Sequence, residues 1–192
     1  MEEIILASAS PRRSELLAQI GIRFRVEKSH GEEHITKTAP GEIVEELSLQ
    51  KAAEVARRFD TGIILGADTI VWADGKVLGK PKDREDAKRM LLLLQNRSHS
   101  VFTGVTLIRK EHGEKTMIRT FHRETRVHVH AMSDEEIEAY LDTGDPFDKA
   151  GSYGIQGPFA AYVDGIEGDY LTVVGLPVSA VYQELKDLDR GC

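Results

Sequence analysis

Residues 63–72, Ile-Ile-Leu-Gly-Ala-Asp-Thr-Ile-Val-Trp, constrain this chain more than any other stretch. A run this apolar and this short suits a strand covered on both faces, which requires a sheet with helices packed against it. One carboxylate, Asp68, interrupts the run. Burying a carboxylate without a partner is costly, so a cation, a metal or hydrogen bonds must meet it. Carboxylates at such positions hold divalent metals or take protons from water. The blander alternative is a structural Asp that caps a neighbouring loop.

The rest of the pattern suits that sheet. Ile4 to Ala7 has strand length, and Ser10-Pro11 opens a helix with Ser at the N-cap and Pro at the first helical position. Leu16, Leu17 and Ile20 give this helix an apolar face before Gly21 ends it, and Phe24 to Val26 reads as a second strand. After a polar loop at 28–41, Ile43, Val44, Leu47, Ala52, Val55 and Ala56 recur at helical spacing. Asp74-Gly75 marks a hairpin turn, Asp83 caps a helix, and Ser133 to Glu136 is a capping box. Two β-like runs, Ser98 to Arg109 and Thr116 to Val129, meet at His112-Gly113. A Gly-rich stretch at 144–168, a last strand at Tyr170 to Val174 and a last helix at Val178 to Leu188 complete the expected order. Alternating strands and helices followed by hairpins predict an α/β fold with a mixed twisted β-sheet and flanking helices. A length of 192 residues predicts one domain, 1–192, with room for two lobes.

Composition narrows the function. With 25 Lys plus Arg against 32 Asp plus Glu, the net charge is −7, and aromatic residues make up 6%. No basic stripe with interleaved aromatics is present, which argues against nucleic acid as a partner. No apolar run reaches the ~20 residues that span a bilayer, and the first residues lack a basic signal-type start. The one cysteine, Cys192, forbids an intrachain disulfide. The expected location is therefore cytoplasmic, with no membrane partner.

Several segments carry polar groups suited to chemistry. Ser8-Ala9-Ser10-Pro11-Arg12-Arg13 joins a strand to a helix start, where backbone amides and Arg forks favour phosphate. Read blandly, it is an N-cap followed by two solvated arginines. Gly79-Lys80-Pro81-Lys82-Asp83 offers lysines that could meet a phosphate, or Asp68 in the case of Lys80. Lys51 is a weaker candidate, since a lone helix lysine is usually solvated. Glu32-Glu33-His34 could supply a second carboxylate for a metal shared with Asp68, or be a solvated acidic loop. In Asp148 to Gly157, glycines would let the backbone approach a ligand, and Gln156 offers the donor and acceptor needed to read a base edge. A flexible surface loop is the other reading. The histidines show no zinc-type spacing, and His122, His128 and His130 line one face of a β-like run.

Taken in order, Ser8 to Arg13, Gly66 to Thr69, Gly79 to Asp83, Ser98 to Val101, Asp148 to Gly157 and Val173 to Pro177 resemble the motifs of the Maf family. These are nucleoside triphosphate pyrophosphatases once known as septum-formation proteins. The resemblance implies an elongated fold of the inosine triphosphatase type with a central cleft. It implies hydrolysis of a nucleoside triphosphate between the α- and β-phosphates, a divalent metal (Mg²⁺ or Mn²⁺), and a homodimer. By the same resemblance Asp68 is the proton acceptor and Glu33 a metal- or water-associated carboxylate, while Arg12, Lys51 and Lys80 contact phosphates. Ser8, Ser10, Arg13 and Lys82 extend the substrate-binding set. Arg12, Thr69 and Gln156 match the branch that acts on dTTP and UTP. The residue chemistry suits this: a triphosphate bears about four negative charges, and Arg12, Arg13, Lys51, Lys80, Lys82 and Lys149 gather cations beside the motifs. The rival is a nucleotide-binding regulator acting through a protein partner, which would need neither carboxylate. A haloacid dehalogenase-type phosphatase would need a second Asp two residues after Asp68, where Ile70 stands.

Overall fold

The computed structural model describes residues 2–190; Met1 and the lone cysteine, Cys192, lie outside the described residues. Seven strands are β1 (Ile4–Leu6), β2 (Phe24–Val26), β3 (Gly62–Ala73), β4 (Lys76–Leu78), β5 (Arg97–Glu111), β6 (Glu114–Val129) and β7 (Val163–Glu167). The helices are α1 (Pro11–Gln19), α2 (Pro40–Ala56), α3 (Arg84–Leu94), α4 (Asp134–Asp142), α5 (Tyr170–Val174) and α6 (Val178–Arg190). Among the described residues the strands order as β2-β1-β3-β5-β6-β7, with β4 paired to β3. β1 runs parallel to both β2 and β3, whereas β3–β4 and β6–β7 are antiparallel, so the sheet is mixed. No helix of the described residues is long and apolar enough to cross a membrane.

The chain forms two compact units. The first holds the residues up to Asp68, Thr103–Arg123, and those from Gly175 onward; the second holds Thr69–Phe102 and Glu124–Val174.

In the first unit, Ala52, Val55 and Ala56 of α2 pack on Ile5, Ala7, Ile64 and Ile108. Two strand glycines set how closely α2 can approach. A Cβ on Gly66 would lie 2.4 Å from the Ser48 carbonyl oxygen, and one on Gly104 would lie 2.2 Å from that of Val44. The helix backbone therefore rests directly on the strands. At its far end, the buried Lys110 ammonium donates to the carbonyls of Ala56 (3.0 Å) and Phe59 (2.5 Å). A cation on the last carbonyls favours the helix dipole as well. Gly66→Ala is expected to cost about 2–3 kcal/mol, because backbone on the helix side leaves no flexible atom to move. Thermal denaturation checks this; an unchanged midpoint would refute the close approach.

In the second unit, the β3–β4 turn places Asp74 (φ 50°) and Gly75 (φ 72°) in the left-handed region, as a tight hairpin of this twist demands. Asp83 caps α3 by accepting from the Asp86 amide at 2.8 Å, and the capping box of Ser133 and Glu136 starts α4. Residues 170–174, expected as the last strand, are helical instead. Asp169 explains this: its carboxylate accepts from the amides of Leu171 (3.2 Å) and Thr172 (3.1 Å) and from the Thr172 hydroxyl (2.9 Å). That cap overrides the β-branched composition. The strand lies earlier, as β7, within the Gly-rich stretch.

Tyr153 and Phe159 stack at 4.6 Å between ring centres, and Tyr140 and Tyr162 each lie against Phe159. The Tyr153 hydroxyl and His99 Nε2 are 2.7 Å apart, and His99 Nδ1 is buried without a protein partner. Burial pushes the His99 imidazole down to about 4, against an ordinary 6.5. Below pH ~6.5 the unfolded chain therefore takes up a proton that the folded chain refuses. The His99 contribution to stability is expected to be flat above that pH and to fall by about 3 kcal/mol as the pH drops toward 4. Denaturant titrations of wild type and His99→Gln test this; an equal acid loss in the variant would exclude His99 as its source.

Candidate functional site

At the β1–α1 junction, Ser8 is buried and its Oγ accepts from the Ser10 amide (3.2 Å) and from Arg13 Nη1 (3.0 Å). Ser10 occupies the N-cap position but makes no side-chain cap bond there. The helix start is set instead by Pro11, whose missing N–H removes one unpaired donor. Arg13 turns back and donates through Nε to the Gly175 carbonyl at 2.8 Å. Burial lowers its guanidinium from the ordinary value, and the charge of Asp68 acts in the opposite direction. Arginine stays charged in proteins under either influence. Arg12, beside it, and Glu33 also enter this electrostatic balance.

The parity of β3 decides what Asp68 meets. Side chains alternate across a strand, so Asp68 shares a face with Ile64 and Gly66, the face under α2. The close approach at Gly66 brings the helix down beside it. There the Lys51 ammonium donates to Asp68 Oδ1 and lies 3.0 Å from Glu33 Oε1. One cation thus bridges two carboxylates. This corrects the expectation of a solvated helix lysine for Lys51, which is an ammonium that meets Asp68. The Lys51 and Asp68 side chains are 18% and 12% exposed, whereas Glu33 is 51% exposed, so the pair opens toward solvent through Glu33.

Glu33 belongs to the loop between β2 and α2. Its backbone is bound along one stripe of α2: the His30 amide donates to Glu54 (3.0 Å), the His34 amide to Gln50 (3.0 Å) and the Thr36 amide to Glu46 (2.8 Å). A recess of about 410 Å³ lies between loop and helix, lined by Gly31, Glu32, Glu33, Gln50 and Lys51 among others.

The remaining candidates lie in the second unit. Thr69 follows Asp68 in β3 and points to the other face of the strand. Lys80 and Lys82 are exposed between β4 and α3, and the Lys82 amide donates to Asp86 at 3.1 Å. Gln156 is exposed in a turn closed by the Gly157 amide on the Gly154 carbonyl (3.1 Å), and the neighbouring Ile155 is buried. The Gly-rich segment is packed, against the reading of an open loop. A Cβ on Gly151 would lie 2.8 Å from Val71, and one on Gly157 3.0 Å from Asp145. Lys149 is held by Asp145 (3.0 Å) and Asp148 (2.6 Å). These glycines thus serve internal packing, which leaves Gln156 as the polar side chain the turn displays. His128 pairs with Glu167 at 2.7 Å and His130, just past β6, with Asp164 at 3.4 Å, whereas His122 meets Glu45 of α2 at 2.7 Å.

The donor set permits a hard divalent cation. Asp68 and Glu33 already share one positive group, and Mg²⁺ or Mn²⁺ is held by one or two carboxylates completed by water and phosphate oxygens. Among the described residues no cluster of three or more His, Cys, Asp or Glu offers a full protein cage. Gln50, Glu46 and Glu54 were not singled out from sequence, although their four-residue spacing beside a long polar loop is a readable signal.

The chain matches the family described as Maf-like protein over residues 3–188. It is 50% identical to the dTTP/UTP pyrophosphatase of Agathobacter rectalis, with 98% of each chain covered. It is also 50% identical to the dTTP/UTP pyrophosphatase of Bacillus cytotoxicus, over 100% of this chain and 98% of the other. Among solved structures it resembles a HAM1 protein from Coxiella burnetii at 18% identity and a TM-score of 0.48, covering 67% of this chain and 73% of that one.

Proposed function

This chain belongs to the Maf-like protein family, and from that premise we propose that it hydrolyses dTTP and UTP to the monophosphate and pyrophosphate. The observation that carries this reading is the Lys51 ammonium held between Asp68 and Glu33. The same unit holds Arg12 and Arg13, and the charges of Asp68, Arg12 and Glu33 all act on Arg13, so cations gather beside the two carboxylates, as binding a polyanion and activating a water would require. The names of the relatives at 50% identity support the substrate class.

In this reading Asp68 accepts the proton of the attacking water as the phosphoanhydride bond breaks and pyrophosphate leaves. Lys51, Arg12 and Arg13 bind phosphate oxygens, with Lys80 and Lys82 as further cations; Ser8 and Ser10 donate hydrogen bonds. Most of the rate then comes from positioning and charge stabilisation, as is general for phosphoryl transfer. A divalent cation on Asp68 and Glu33 would neutralise phosphate charge and polarise the reacting phosphoryl group. Thr69 and Gln156 would pair with the O2, N3–H and O4 edge that thymine and uracil share. The homodimer implied by the resemblance is part of the proposal, and light scattering tests it.

The substrate claim is tested by rates on a panel of triphosphates. Preference for dTTP and UTP over CTP and purine nucleotides is expected; indifference to the base would refute it. Gln156→Ala is expected to narrow that preference about tenfold while changing the dTTP rate less. Unchanged selectivity would remove Gln156 from base recognition.

A further inference from the structure

The loop carrying Glu33 has no regular secondary structure of its own between β2 and α2. Its order comes from α2. Glu46, Gln50 and Glu54 stand four residues apart on the helix and engage the backbone at Thr36, His34 and His30 in turn, so the loop runs antiparallel to the helix. The three rungs are not equivalent. Glu46 accepts from the Thr36 amide (2.8 Å) and hydroxyl (2.5 Å), and Glu54 accepts from the His30 amide (3.0 Å) and from Arg58; as carboxylates, both accept only. Gln50 makes both halves of a backbone pairing. Its Oε1 accepts from the His34 amide (3.0 Å) and its Nε2 donates to the His34 carbonyl (2.6 Å), as a neighbouring strand would. These two hydrogen bonds to one residue fix rotation as well as distance. It also sits beside the bridge: Gln50 adjoins Lys51 in the helix, and His34 adjoins Glu33 in the loop.

We propose that Gln50 is a positioning residue, whose two hydrogen bonds to the His34 backbone hold the Glu33 carboxylate at the Asp68–Lys51 pair for metal binding. The inference rests on the reading of Glu33 as a metal carboxylate. Glu33 is half exposed and has one long side chain's freedom, so without the clamp its carboxylate samples many positions away from Asp68. A group that must meet a small cation with Asp68 loses affinity when that freedom returns.

The test uses the full chain and four proteins: wild type, Gln50→Met, Glu33→Gln and the double variant. Met keeps the length of Gln50 and removes both bonds. Amide hydrogen exchange of residues 31–36 and Mn²⁺ affinity by electron paramagnetic resonance, with a non-hydrolysable dTTP analogue bound, are the readouts. In Gln50→Met, loop exchange is expected to rise at least tenfold and Mn²⁺ affinity to fall about tenfold, while KM for dTTP at saturating metal changes less than twofold. In the Glu33→Gln background, Gln50→Met is expected to change Mn²⁺ affinity less than twofold, because no carboxylate is left to position. Faster loop exchange with unchanged Mn²⁺ affinity, or losses that multiply in the double variant, would overturn the positioning role and leave the metal reading standing. Unchanged Mn²⁺ affinity in Glu33→Gln alone would overturn the metal reading, and the positioning role with it.

Discussion

Asp68→Asn is expected to lower turnover of dTTP by about 10³-fold, within the range that a proton acceptor contributes. Asn keeps the shape and leaves an oxygen for the Lys51 ammonium, so the local geometry of β3 and α2 should persist. It cannot take a proton from water. It also removes one negative charge from the site proposed to hold a polyanion, so nucleotide affinity is expected to stay equal or rise. Binding is read by isothermal titration with a non-hydrolysable dTTP analogue and turnover by product formation. A near-normal rate in this variant would end the assignment of Asp68 as proton acceptor. Loss of both rate and binding would point instead to a collapsed site.

Lys51→Met is expected to harm both rate and stability. Removing the ammonium leaves Asp68, 12% exposed, facing Glu33 with no bridging cation. Breaking a fully buried pair costs several kcal/mol; with Glu33 half exposed, about 2 kcal/mol is the appropriate scale. For a chain of this length that lowers the melting midpoint by about 4–8 °C. Turnover is expected to fall at least ~100-fold through loss of a phosphate contact. Added Mn²⁺ should restore more stability to this variant than to wild type, since two like charges then lack any other counter-ion. Lys51→Arg should keep most of the stability but not the rate, because a planar fork replaces a point charge. Equal Mn²⁺ stabilisation of Lys51→Met and wild type would count against a shared cation position.

These expectations depend on neighbours that the sequence discloses unevenly. Local chemistry was legible. Asp74-Gly75 needs a left-handed turn, Asp83 and Ser133 need an amide to accept from, and the apolar run around Ile64 needs cover on both faces; each is found where its residues place it. Residues 170–174 were misread because Tyr, Thr and Val favour strands, while the Asp169 cap that decides the matter contributes through only three bonds. Asp68, Glu33 and Lys51 were all candidates from sequence, but their pairing was not legible there. Asp68 announced a need for a partner, yet nothing local to Lys51 says that it is the partner. That depends on Gly66 and Gly104 admitting the α2 backbone onto the sheet, which is a tertiary fact. Gln50 escaped notice for the same reason, since its role depends on a loop lying antiparallel to the helix.

The central claim, that the Asp68–Lys51–Glu33 cluster belongs to a hydrolase cleaving between the α- and β-phosphates, is most directly tested by identifying the products. dTTP is incubated with the full-length protein and Mg²⁺ or Mn²⁺, with and without chelator, and followed by phosphorus-31 magnetic resonance. The account predicts dTMP and pyrophosphate in equal amounts, formed only when divalent metal is present. Formation of dTDP and phosphate, or tight nucleotide binding with no turnover under any metal, would contradict it; the latter result would make the chain a nucleotide-binding regulator.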